Sequence, residues 1–157
     1  MPVEIERKFL VVDDGWRPLS RSSQRYRQGY LSLGPGPVVR VRRAGPAAFV
    51  TVKGDGRIAR PEFEYRIPVE DADAMLADLC HQPLVEKTRH EVWHAGLLWH
   101  VDEFGGGNDG LVVAEVELTA TDQPVQLPDW VGREVTEDLR YRNSELARRP
   151  LRGSARD

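Results

Sequence analysis

The chain has 157 residues, long enough for one domain with a substantial core and too short for two of ordinary size. Its 22 Lys+Arg against 25 Asp+Glu leave a net charge of −3, without the basic excess of a dedicated nucleic-acid or anionic-membrane binder. No apolar run approaches the ~20 residues of a membrane helix, no basic-then-apolar leader opens the chain, and the single cysteine, Cys80, excludes an internal disulfide, so a cytoplasmic protein is expected.

Taken in chain order, strand-like segments dominate: 3–12, 24–33, 37–44, 47–53, 58–68, 84–94, 97–104 and 111–118. Turn signals at Gly34-Pro35-Gly36, Gly45-Pro46, Asp55-Gly56, Ala95-Gly96 and Gly105 to Gly110 join most of them by hairpin-length connections, which implies antiparallel neighbours. Gly105 to Gly110 lacks the Lys-Ser/Thr of a P-loop and reads as a flexible connection. Helices are expected over 70–80, where Ala72, Met75, Leu76 and Leu79 share a face, and near 138–148. Residues 121–130 read as loop with a turn of helix around Asp129 to Val131, and 149–157 as a disordered tail beyond a single domain at 1–148.

The strands share a pattern. In EIERK, Glu4, Glu6 and Lys8 oppose Val3, Ile5 and Phe9, because strand side chains alternate between faces. The same alternation aligns Arg40 with Arg42, Lys53 with Thr51, Glu62 with Glu64 and Arg66, Lys87 with Arg89 and Glu91, His100 with Asp102, and Glu115 with Glu117. One such stripe would most simply face water. Repeated with charged residues at nearly every polar position, it suggests a face that meets itself or a charged ligand. Eight antiparallel strands suffice to close a barrel, and charges turned inward would line a hydrated channel, since so many desolvated charges would otherwise be prohibitive. The expected fold is therefore α+β, mainly antiparallel β: an eight-stranded closed barrel with a polar, charged interior and a few helices packed outside.

Paired carboxylates are hard oxygen ligands for Mg²⁺ or Mn²⁺, and Arg and Lys suit phosphate oxygens. Together they meet the needs of phosphoryl transfer, whose catalysis is largely positioning and charge neutralisation. The chain at this point resembles the CYTH superfamily, or triphosphate tunnel metalloenzymes, through EIERK (4–8), RVR (40–42), TVK (51–53), EFE (62–64), EKTR (86–89), VD (101–102) and EVE (115–117) in that order. The resemblance spans residues 2 to about 147.

The resemblance implies a tunnel that binds a triphosphate with divalent metal, Mg²⁺ or Mn²⁺ and two ions, and hydrolyses it, the short bacterial members being mostly tripolyphosphatases. It implies that Lys8, Arg40, Arg42, Lys53, Lys87 and Arg89 grip the triphosphate, with Arg27 as a further contact. Glu4, Glu6, Asp102, Glu115 and Glu117 would hold metal, and Glu62 and Glu64 would order the basic residues or a second metal. Catalytic roles fall to Glu4, Glu6 and Lys87, with Lys87 or a metal-bound carboxylate positioning the water. Other expectations remain open at this stage: a thiamine or nucleoside triphosphatase, a class IV-type adenylate cyclase with an adenine pocket at Trp93 or Trp99, or a non-catalytic polyphosphate or nucleotide sensor. No nucleic-acid or membrane partner is expected, His90, His94 and His100 read as surface or packing residues, and an exposed apolar barrel wall would favour a homodimer.

Overall fold

The structure, a computed structural model, describes residues 2–151. The eight expected strands form with ends within about two residues of the sequence reading: β1 (Val3–Val11), β2 (Ser22–Ser32), β3 (Val38–Ala44), β4 (Ala47–Lys53), β5 (Ala59–Ile67), β6 (Val85–His94), β7 (Leu97–Phe104) and β8 (Val112–Glu117). Around the barrel they run β1, β8, β7, β6, β2, β3, β4, β5, and β5 pairs back to β1, all antiparallel. Closure removes the open sheet edges that an eight-stranded sheet would otherwise expose.

A ninth strand, β9 (Val131–Glu134), replaces the helical turn expected near Asp129. The reason lies in β1. Strand β5 covers it only from Val3 to Ile5, so the far half of the same edge would be bare; β9 pairs there, with Phe9 opposite Glu134.

The outward faces carry two apolar clusters. Phe9, Trp99, Val101, Ala114 and Val116 pack under Trp16 and Trp130, while Val41 and Ala48 pack under Ala72 and Leu76 of helix α1 (Val69–Asp78) and under Cys80 just past its end. Gly29 is needed where α1 ends on β2, because a Cβ there would lie 2.8 Å from that of Cys80. Among the described residues no helix is long and apolar enough to cross a membrane.

Helix α2 (Asn143–Arg148) departs from the expectation that the helices pack outside. Toward one end of the barrel the inward positions turn apolar: Leu10 follows Lys8, Val113 precedes Glu115, Phe104 follows Asp102, and Val85 precedes Lys87. Leu146, Ala147 and Tyr141 pack on these residues, so the C-terminal segment stoppers the barrel rather than lying on its wall. The Gly105 to Gly110 connection is not slack either. Its Asn108 is buried, donates to the Leu146 carbonyl and accepts from the Leu151 amide, which fixes the first residues of the expected tail; residues 152–157 of that tail lie outside the described residues.

Candidate active site

Strand alternation delivers the charged stripes to a common interior. A cavity of ≈ 190 Å³ is lined by seven cations, Lys8, Arg40, Arg42, Lys53, Arg60, Lys87 and Arg89, and six carboxylates, Glu4, Glu6, Glu62, Glu64, Glu115 and Glu117. Cross-strand register opposes Glu6 to Glu117 and Lys8 to Glu115 on β1 and β8, and Lys53 to Glu62 on β4 and β5. The carboxylates of β1 and β8 form one wall; most of the cations form an arc on β3, β4 and β6.

The cations of the arc are held by specific partners. Lys87 and Asp102 both have fully buried side chains: Lys87 Nζ lies 2.7 Å from Asp102 Oδ2, and Arg89 Nε and Nη2 donate to Oδ1 at 2.8 Å and Oδ2 at 2.9 Å. Arg42 Nε donates to Gln28 Oε1 at 2.9 Å while its guanidinium stacks on Tyr26. Arg40 Nη2 reaches Thr51 Oγ1 at 3.2 Å and Glu64 at 3.5 Å, and its Nε is buried with no hydrogen-bond partner among the described residues. A buried donor left in this state is costly, and an anionic oxygen would satisfy it.

Electrostatics set the two sides apart. Burial raises the Glu6 carboxyl to about 8, and the neighbouring Glu115 and Glu4 charges add to the rise. Glu4 itself is lowered: burial opposes ionisation, but Lys53 at 2.9 Å together with a hydrogen bond from Glu6 outweighs it. Burial also raises the cost of ionising Glu115, and Lys8 and Arg89, 3.6 and 3.5 Å away, hold it well below the usual carboxylate range. Among the amines, burial pulls Lys87 down to about 7 against the pull of Asp102, and burial with Arg40 beside it pulls Lys53 down to about 8.

Most of the residues expected from the sequence meet here, but two do not. Asp102, expected to hold metal, does not line the cavity, and both its oxygens are taken by Lys87 and Arg89. Burial disfavours its charge, yet Arg89 and Lys87 keep it ionised to far below the usual range. It is the buried counter-ion that orients two cations. Arg27, expected as a phosphate contact, points out of the barrel: its side chain is 44% exposed and faces Glu86 at 4.0 Å. Its neighbours Tyr26, Gln28 and Tyr30 take the inward positions of β2, paired with Lys87, Arg42 and Arg40.

Other lining residues were not singled out by the sequence. Arg60 shares the parity of Glu62 and Glu64 and could have been found by extending that stripe by one step; it also lines the two neighbouring cavities. His100, read as a surface or packing residue, lines the cavity. Asn143 and Ser144 reach it from α2, which no strand periodicity could reveal. Trp93 and Trp99 offer no adenine platform: Trp99 is buried in the outer core and Trp93 is 54% exposed, and neither lines the cavity.

Among the described residues no three acidic, histidine or cysteine side chains already converge as a cation cage. The donor set nevertheless fits a hard divalent cation. Glu4, Glu6, Glu115 and Glu117 supply only oxygens, and the crowding that raises Glu6 is what a nearby dication would relieve.

A closed antiparallel barrel whose interior opposes a carboxylate wall to a guanidinium and ammonium arc defines a class, the tunnel proteins that handle highly charged anions. Residues 2–150 match the CYTH domain, and the chain belongs to that family. It is 44% identical over 153 residues to an inorganic triphosphatase of Acetivibrio thermocellus, covering 97% of both chains. To an inorganic triphosphatase of Nitrosomonas europaea it is 39% identical, covering 92% of this chain and 96% of the relative. A crystal structure of an inorganic triphosphatase superposes with a TM-score of 0.66 at 38% identity, covering 94% of this chain and 95% of that one.

Proposed function

We propose that the protein is an inorganic triphosphatase, hydrolysing tripolyphosphate to pyrophosphate and orthophosphate within the barrel. The observation that carries this reading is the buried Arg40 Nε, without a hydrogen-bond partner among the described residues, in an arc of cations that faces a carboxylate wall. The cavity of ≈ 190 Å³ is below the ~300–1,000 Å³ of pockets for drug-sized ligands, which favours a compact, densely charged substrate over a nucleotide. The names of both close relatives support the same substrate.

In this reading Arg40, Arg42 and Arg89 grip phosphate oxygens with charge-assisted hydrogen bonds, and Lys8 and Lys53 neutralise the chain from the sides. Glu62 and Glu64 orient Lys53 and Arg40 through contacts of 3.2 and 3.5 Å. Glu4, Glu6, Glu115 and Glu117 would hold Mg²⁺ or Mn²⁺, which when bound withdraws charge from the phosphates and lowers the pKa of a coordinated water. Lys87, pulled by burial down to about 7 so that it exchanges its proton near neutral pH, and pinned at the base of the cavity, is the group suited to hold or accept a proton from the attacking water.

The test is phosphate release from tripolyphosphate, ATP, thiamine triphosphate and pyrophosphate, each with Mg²⁺, Mn²⁺ or chelator. Release from tripolyphosphate in large excess over the others, and only with metal, is expected. Equal turnover in chelator would overturn the metal role, and cyclic AMP from ATP would overturn the hydrolase.

A further inference from the structure

An asparagine at the cap position of a helix ordinarily accepts from the next free amides through its side chain. Asn143 opens α2 and does not: the cap position is Arg142, with no side-chain cap bond. Instead Asn143 Oδ1 accepts from Gln28 Nε2 at 2.8 Å and from Lys87 Nζ at 3.1 Å. Gln28 is fully buried, and its own carbonyl Oε1 accepts from Arg42 Nε. Two neutral amides thus link the two cations, one from the barrel wall and one from the C-terminal stopper.

The direction of this chain is fixed. Turning the Asn143 amide over would set its NH₂ against the Lys87 ammonium and the Gln28 NH₂, and turning Gln28 would set NH₂ against Arg42. Neither alternative leaves its neighbours satisfied. A neutral acceptor also restrains Lys87 beside Asp102 without adding charge to a cavity that must admit an anion.

We infer that Asn143 and Gln28 are positioning residues that hold Lys87 and Arg42 at a fixed separation, so that the C-terminal helix is a working part of the site. The inference deepens the triphosphatase reading, and only its kinetic arm rests on that reading. A second arm reads Lys87 directly. The chain has three lysines, Lys8, Lys53 and Lys87, all buried in the tunnel wall, so reductive methylation with formaldehyde and a borane, mapped by peptide mass, reports on the site residue by residue.

Asn143→Ala is expected to lower kcat/KM on the order of tenfold to a hundredfold, as loss of an outer-shell partner commonly does. Lys87 methylation should rise at least threefold relative to Lys8. Asn143→Asp, which keeps both acceptor bonds, should return Lys87 protection to the wild-type level. Gln28→Leu should raise KM through Arg42, and the double variant should cost less than the sum of the singles because both act in one network. Unchanged relative methylation of Lys87 in Asn143→Ala overturns the inference, whether kcat/KM is retained or falls together with the melting temperature, since the latter marks a mere tether. Additive Gln28 and Asn143 effects overturn it as well. If the wild type releases no phosphate from tripolyphosphate, the proposed activity fails while the methylation arm still decides this point.

Discussion

The carboxylate wall of β1 and β8 and the cationic arc of β3, β4 and β6 are built by the same device, alternate residues of adjoining strands, yet they end in opposite physical states. In the arc Lys87, Arg89, Arg42 and Arg40 have each found a partner in Asp102, Gln28 or Thr51, and the arrangement is set before any ligand arrives. On the wall, Glu6 is raised to about 8 because burial is compounded by Glu115 and Glu4. Preorganised donors cost no rearrangement when an anion binds. On the wall, Glu4 and Glu115 are already held ionised by Lys53, Lys8 and Arg89, whereas Glu6 stays frustrated until a cation relieves it.

Four substitutions would break or sharpen that contrast. The largest effect is expected from Glu6→Gln, which should lower metal-dependent phosphate release by about a hundredfold or more while leaving the melting temperature unchanged or higher; near-normal kcat would remove Glu6 from the metal site. The wild type carries a matching pH signature. Because the folded Glu6 pKa lies above its ordinary 4.5, its contribution to stability is complete below about pH 4.5 and is lost as pH rises through about 8. Urea denaturation of metal-free protein across that range should follow this fall, and Glu6→Gln should flatten it.

Asp102→Ala tests the counter-ion assignment against the metal one. Stranding Lys87 and Arg89 without their buried partner should cost about 3–5 kcal/mol, measured by urea denaturation, whereas loss of a metal ligand would leave metal-free stability intact. Arg42→Ala should mainly raise KM for tripolyphosphate, by about 10- to 100-fold if one charge-assisted bond of about 1.5–3 kcal/mol is lost. An unchanged KM would mean that Arg42 does not touch substrate. The smallest effect belongs to Arg27→Ala. Its exposed side chain lies outside the barrel, so kcat/KM should stay within about twofold of wild type.

The strands, their order of charged residues and the inward direction of the charges were legible in the sequence because period-two alternation is strictly local. The same rule, pushed one step, reaches Arg60 and also says that Tyr26, Gln28 and Tyr30 share a face that excludes Arg27. It was harder to apply on β2 because one face carries Ser, Gln and Tyr and the other Ser, Arg, Gly and Leu, so neither reads as a purely charged or purely apolar stripe. Asp102 was correctly placed on the inner face, but its role depends on which cations stand across from it, and that is set by the pairing of β6 with β7.

By itself, then, the sequence determined a barrel of eight strands with charges inside, since side-chain alternation follows from backbone geometry alone. Tertiary structure decided which charges pair and which are left in conflict, because partners such as Asp102 and Arg89, or Glu6 and Glu115, come from different strands and register alone brings them together. It also decided the fate of α2. A short amphipathic segment can cover a wall or stopper an end, and only the apolar ring of Leu10, Val85, Phe104 and Val113 at one mouth of the barrel makes the second the place where its surface is buried.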